Sequence, residues 1–112
     1  MVVVVLVEPA GPLNIGSVAR LCANFGVDQI RLVNPRCDPK GKDSLLMAVH
    51  ASALVETAAH YSTLESAVAD CSRVGATCGR LDHGSIPLQM PDQALNWLMA
   101  GDGTVAVVFG RE

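Results

Sequence analysis

The chain has no Cys-x-x-Cys pair, no surplus of basic residues, no long apolar run and no paired histidines, and each shortage closes off a class of function. Four cysteines, Cys22, Cys37, Cys71 and Cys78, stand singly; this argues against a metal site and for reduced, mostly packed thiols. His50, His60 and His83 share no spacing with each other or with an acid that would suit a metal or a catalytic triad, so no metal is expected. The apolar run Val2 to Val7 is too short to cross a bilayer and lacks the basic flank and cleavage site of a signal peptide. A cytoplasmic protein without a membrane partner is therefore expected. A formal net charge of −3 does not advertise a nucleic-acid binder. Between Gly11 and Gly16 the glycines suggest a phosphate loop, but no Lys-Ser or Lys-Thr follows, which argues against a nucleoside-triphosphate site.

What is present is a core-forming α/β pattern. Half of the 112 residues are apolar, enough for one domain with a real hydrophobic interior. Val2 to Val7 is a β-branched and leucine run of the kind expected for a strand buried on both faces. Pro9, Gly11 and Pro12 break the chain direction, and Asn14 has the side chain to cap a helix running to about Phe25. Ile15, Val18, Ala19, Cys22 and Phe25 repeat at helical spacing as an inner stripe. Gly16, Ser17, Arg20 and Asn24 fall on the opposite side, free to meet a ligand or partner.

Further along, Gly26 sits where a left-handed residue ends the helix, Gln29 to Val33 reads as a second strand, and Pro35 stops it. A loop from Asn34 to Asp43 leads into a short helix, Ser44 to about His50; Ala51 to Tyr61 yields no assignment. Ser62 and Glu65 form a capping box for a helix with Leu64, Ala67, Val68 and Cys71 inward. Arg73 to Cys78 is predicted as a third strand, and Gly79 to Met90 as an irregular loop. Asp92 and Gly101 bracket a helix with Leu95, Leu98 and Met99 inward and Trp97 on its flank, and Thr104 to Phe109 is a fourth strand. Strands alternating with helices predict a parallel sheet with helices on both faces.

In such sheets the ligand crevice lies beyond the carboxyl ends of the strands. Glu8–Leu13, Asn34–Asp43, Cys78–Asp92 and Gly110–Glu112 leave the strands there. Arg20, Arg36, Lys40, Lys42, Arg80 and Arg111 lie in or beside these segments, where a phosphate backbone would meet them. Glu8, Asp38, Asp43, Asp82, Asp92 and Glu112 share the rim, so charge alone leaves an RNA-facing edge and an ordinary solvated edge equally open.

Three stretches in order carry a resemblance: Asn14-Ile15-Gly16-Ser17-Val18-Ala19-Arg20 with Asn24-Phe25-Gly26 and Leu32-Val33-Asn34-Pro35; Ala76-Thr77-Cys78-Gly79-Arg80; and Val107-Val108-Phe109-Gly110-Arg111-Glu112. Together they resemble the SpoU/TrmH branch of the SPOUT RNA methyltransferases, and within it the subgroup that methylates a ribose of the tRNA anticodon loop. The resemblance implies transfer of a methyl group from S-adenosylmethionine to a ribose 2′-hydroxyl of RNA, tRNA ahead of rRNA, by a homodimer. It implies that Arg20 clamps the neighbouring phosphate and stabilises developing oxyanion charge, that Asn14 orients Arg20, and that Glu112 organises the site. It assigns cofactor contacts to the main chain of Thr77, Cys78, Gly79 and Gly110. Arg20, Ser17, Arg36, Lys40, Lys42 and Arg80 are the residues expected to meet RNA.

Members of that family continue into a segment that ties a C-terminal trefoil knot. The chain stops at Glu112, so the expected domain is residues 1–112 as the N-terminal part of one SPOUT domain, an incomplete stretch of a longer enzyme. Two other classes stay open: an inactive RNA-binding or dimerisation module of the same fold, and an unrelated small α/β nucleotide-binding or regulatory domain.

Overall fold

The computed structural model describes residues 1–39, 41–48, 51–76, 91–100 and 102–110. Among them five strands, β1 (Val2–Val7), β2 (Gln29–Val33), β3 (Ala59–Tyr61), β4 (Arg73–Ala76) and β5 (Val105–Phe109), form one sheet in the order β3-β2-β1-β5-β4. Every pairing is parallel. The helices are α1 (Pro12–Asn24), α2 (Lys42–Ala48), α3 (Ser52–Glu56), α4 (Leu64–Ala67) and α5 (Pro91–Met99). No described helix is long and apolar enough to cross a membrane.

β1 is the middle strand, which is why its sequence is apolar at every position: both faces are covered. Val4 and Leu6 join Ile30 and Leu32 of β2 under Ile15, Ala19 and Cys22 of α1, Ala48 of α2 and Val55 of α3. Val3 and Val5 join Val33, Ala106 and Val108 under Ala67 of α4. α5 belongs to the α1 side, because Leu98 lies against Gly75, which is in register with Val107 and through it with Val4. Helices thus cover both faces, as the alternation of elements predicts.

The structure departs from the sequence reading in local details with clear causes. Gly11, not Asn14, is the N-cap of α1: Pro12 occupies the first turn, where its missing N–H and fixed φ cost nothing, and the Gly11 carbonyl accepts from the amides of Asn14 and Ile15. Gly16 is buried, not on the outer side, since α2 crosses α1 there. Phe25 ends α1 as its C-cap and is 81% exposed, and Met99 is likewise exposed. The unassigned stretch Ala51–Tyr61 holds α3 and β3; three residues of edge strand are too few to display a period. Thr63, not Ser62, caps α4, its hydroxyl accepting from the Ser66 amide at 3.2 Å. Gly26 does adopt the left-handed conformation expected of it, with φ of 73°. Trp97 is half exposed, with the Arg73 guanidinium 4.8 Å from its ring centre.

One buried charge has no precedent in the sequence reading. Arg31, in the interior of β2 and 4% exposed, forms a two-pronged pair with Asp70 at 2.6 and 2.9 Å. It also donates to the Ala67 carbonyl at 2.9 Å and to Gln29 at 3.0 Å. The guanidinium thereby fixes the end of α4, a helix too short to hold itself, to the sheet. Its hydrogen bond and charge hold the Asp70 carboxyl down to about 2.

Candidate functional site

Because all five strands are parallel, their carboxyl ends share one edge. The order β3-β2-β1-β5-β4 sets the ends of β1 and β5 side by side at the middle of that edge, and in parallel α/β sheets ligands bind beyond the carboxyl ends of the strands. Glu8 follows β1 and Asn34 follows β2, and their amides extend the ladders by donating to the carbonyls of Val33 at 2.7 Å and Tyr61 at 2.9 Å. Both residues then turn the chain in the left-handed conformation, φ 49° and 46°, which is uncommon outside glycine. The two exits are joined: the Arg36 amide donates to the Pro9 carbonyl at 2.9 Å, and the Arg36 guanidinium meets the Glu8 carboxylate at 3.4 Å.

Gly110 follows β5 on the same edge. It is exposed, and a Cβ built there would meet no described atom within 4 Å. It stands beside the end of β4, where Ala76 is in register with Val108. Thr77, Cys78, Gly79, Arg80, Lys40 and Glu112 lie outside the described residues, as do His50 and His83.

The expected RNA-facing side chains divide between this edge and the outer side of α1. Ser17, Arg20, Leu21 and Asn24 recur at helical spacing and, with Met47 of α2, line an open depression of about 390 Å³. Arg20 is exposed there and Ser17 half-buried. Arg20 lies eight residues into α1, about 12 Å along the axis from Pro12, so it stands down the helix from the strand ends. Asn14 is exposed and stands six residues before Arg20, about 240° around the helix, and among the described residues no hydrogen bond joins the two. Lys42 begins α2 and is exposed. Leu21 and Met47 were not anticipated, though Leu21 already falls off the inner stripe by its helical angle. Among the described residues no group of histidine, cysteine and acidic side chains could hold a metal. Burial raises the thiol pKa of Cys22, which packs in the core.

Comparison with known proteins adds to this geometry. The profile described as the SpoU rRNA Methylase family matches residues 1–112. The chain is similar to the tRNA (cytidine-2′-O-)-methyltransferase TrmJ of Methanocaldococcus jannaschii, 32% identical over 116 residues that span 100% of this chain and 50% of that protein. It is similar to the tRNA (cytidine/uridine/adenosine-2′-O-)-methyltransferase TrmJ of Pseudomonas aeruginosa, 38% identical over 112 residues, 97% of this chain and 43% of the relative. Among solved structures, TrmJ from Z. mobilis ZM4 superposes with a TM-score of 0.92 at 35% identity, covering 100% of this chain and 50% of that one. A probable methylase family protein from Haemophilus influenzae Rd KW20 gives 0.87 at 33%, covering 99% and 47%. The chain spans about half the length of the curated relatives it matches.

Proposed function

This chain belongs to the SpoU rRNA methylase family, and on that premise we propose that the protein transfers a methyl group from S-adenosylmethionine to a ribose 2′-hydroxyl of tRNA. The observation that carries the reading is similarity along essentially the whole chain to proteins named as tRNA 2′-O-methyltransferases. Those names favour tRNA over rRNA as substrate.

The donor's contribution is an electrophilic methyl. The exposed main chain of Gly110 suits close approach by the donor, and Thr77, Cys78 and Gly79 are proposed to share that contact. The ribose hydroxyl is a poor nucleophile, so the chain's own residues must hold it and ease loss of its proton. Arg20 supplies a forked cation that grips the adjacent phosphate and stabilises negative charge growing on the ribose oxygen. A guanidinium is protonated at neutral pH, which makes it a stabiliser and clamp and not the proton acceptor. Ser17 and Lys42 flank the RNA path with Arg36 on the rim; Lys40 and Arg80 are proposed as further RNA contacts, and Asn14 and Glu112 as further site residues. The exposed apolar side chains Leu13, Leu21, Phe25 and Met47 lie on the same outer side of α1 and α2 as Ser17 and Arg20, so a second copy seated there, as in a homodimer, would border the RNA path. The proposed place of the reaction is the cytoplasm, where tRNA resides.

Incubation of the full-length protein with S-adenosylmethionine and unfractionated tRNA, followed by digestion to nucleosides and mass spectrometry, tests the proposal. A 2′-O-methylated nucleoside is expected; a methylated base, or no methylation, would overturn it.

A further inference from the structure

We propose that Glu8 is a positioning residue that holds the Arg36 guanidinium on the carboxyl-end rim for a backbone phosphate of the RNA, an inference that rests on the RNA reading above.

The backbone is the first reason. Glu8 sits in the left-handed region with φ 49°, a conformation glycine adopts without steric cost and a long side chain does not. Such positions persist when surrounding contacts over-determine them, and they cluster at functional sites. Here the Glu8 amide is tied to Val33 at 2.7 Å, while the next residue, Pro9, takes the Arg36 amide at 2.9 Å and the Cys37 thiol at 3.6 Å on its carbonyl. The two strand exits are therefore fixed against each other before any side chain is considered.

The side chains give the second reason. The Glu8 carboxylate is largely enclosed, its side chain 22% exposed, whereas the Arg36 side chain is 57% exposed. An acid seated in the wall thus steadies a base that projects into water. The pair meets through Nε at 3.4 Å, and among the described residues the terminal nitrogens Nη1 and Nη2 hold no hydrogen bond. Those two nitrogens form the fork that grips phosphate bidentately. A surface pair of this kind is worth little to folding, so the effect of removing it is expected in RNA binding and not in the melting temperature.

The sign of one substitution decides the matter. Simple charge repulsion predicts that deleting a carboxylate beside a polyanion tightens binding; positioning predicts that it weakens. In the full-length protein, Glu8→Ala is expected to weaken binding of unfractionated tRNA about 5- to 10-fold and raise KM, with kcat within twofold. Arg36→Ala should likewise weaken tRNA binding and raise KM, and flatten the dependence of log K on log salt by about 0.7, one phosphate contact. Adding Glu8→Ala to Arg36→Ala should change binding less than twofold. Glu8→Gly, which relieves the backbone while removing the carboxylate, should weaken tRNA binding without lowering the melting temperature, and Glu8→Gln should recover part of the affinity. Unchanged or tighter binding by Glu8→Ala and Glu8→Gly, or an unchanged salt slope in Arg36→Ala, would overturn the inference while leaving the RNA reading intact. Failure of the wild type to bind tRNA would overturn both.

Discussion

Gly16 lies where α2 crosses α1, and a Cβ at that position would overlap the Ser44 carbonyl oxygen and sit 2.7 Å from the Met47 Cβ. The obstacle is main chain, which cannot rotate away. Gly16→Ala should therefore destabilise by about 1–3 kcal/mol through overpacking, outweighing the roughly 1 kcal/mol that alanine gains in helix propensity. Chemical denaturation checks this; an unchanged or raised midpoint would mean that α2 shifts without cost. Gly16 also marks a limit of reading from sequence. On the helical wheel it lies about 100° from Ile15 and about 120° from Cys22, at the flank of the inner stripe, and the path of α2, a long-range fact, decides that it is buried. The Asn14 side chain suits a cap, but Pro12 two residues earlier fixes where the helix starts. The left-handed turn at Gly26, by contrast, was legible because a single residue's stereochemistry decides it.

At the scale of elements, α4 is the weakest piece and Arg31 is what holds it. The Asp70 carboxyl is held down from 3.8 to about 2, first by its hydrogen bond from Arg31. A lowered acid pKa contributes stability above pH 3.8, and that stability is lost as pH falls toward 2. Thermal melts should thus show the wild type losing stability between pH 4 and pH 2 more steeply than Asp70→Asn. Parallel curves for the two would show that the pair contributes nothing in solution. The apolar runs of β1, β2 and β5 and the stripe of α1 were legible because burial on a defined face writes itself into the sequence as a period. β3 was not, because an edge strand of three residues borrows its order from β2. Nor was Arg31, since a charged residue within a strand reads as solvent-facing until Asp70, 39 positions away, is placed beside it.

For the whole molecule, the parallel pairing of β2, β1 and β5 brings Glu8, Asn34 and Gly110 to one edge, and the alternation of strands and helices in the sequence is sufficient to foresee that edge. Charge is a poor guide, because a net −3 averages over the whole chain, whereas the proposed RNA contacts Arg20, Arg36, Lys40, Lys42 and Arg80 are a small part of it. Position along α1 is what separates Arg20 from the strand ends, and the sequence motif that singles it out carries no such distance. The account turns on Arg20 as the phosphate clamp and charge stabiliser of methyl transfer. Its most direct test is the single-turnover rate of methyl transfer to tRNA by the full-length protein carrying Arg20→Ala. Loss of one such donor should slow the step about 100- to 1,000-fold with the melting temperature unchanged, since the side chain is exposed. A rate within about threefold of wild type, under about 1 kcal/mol of barrier, would contradict it.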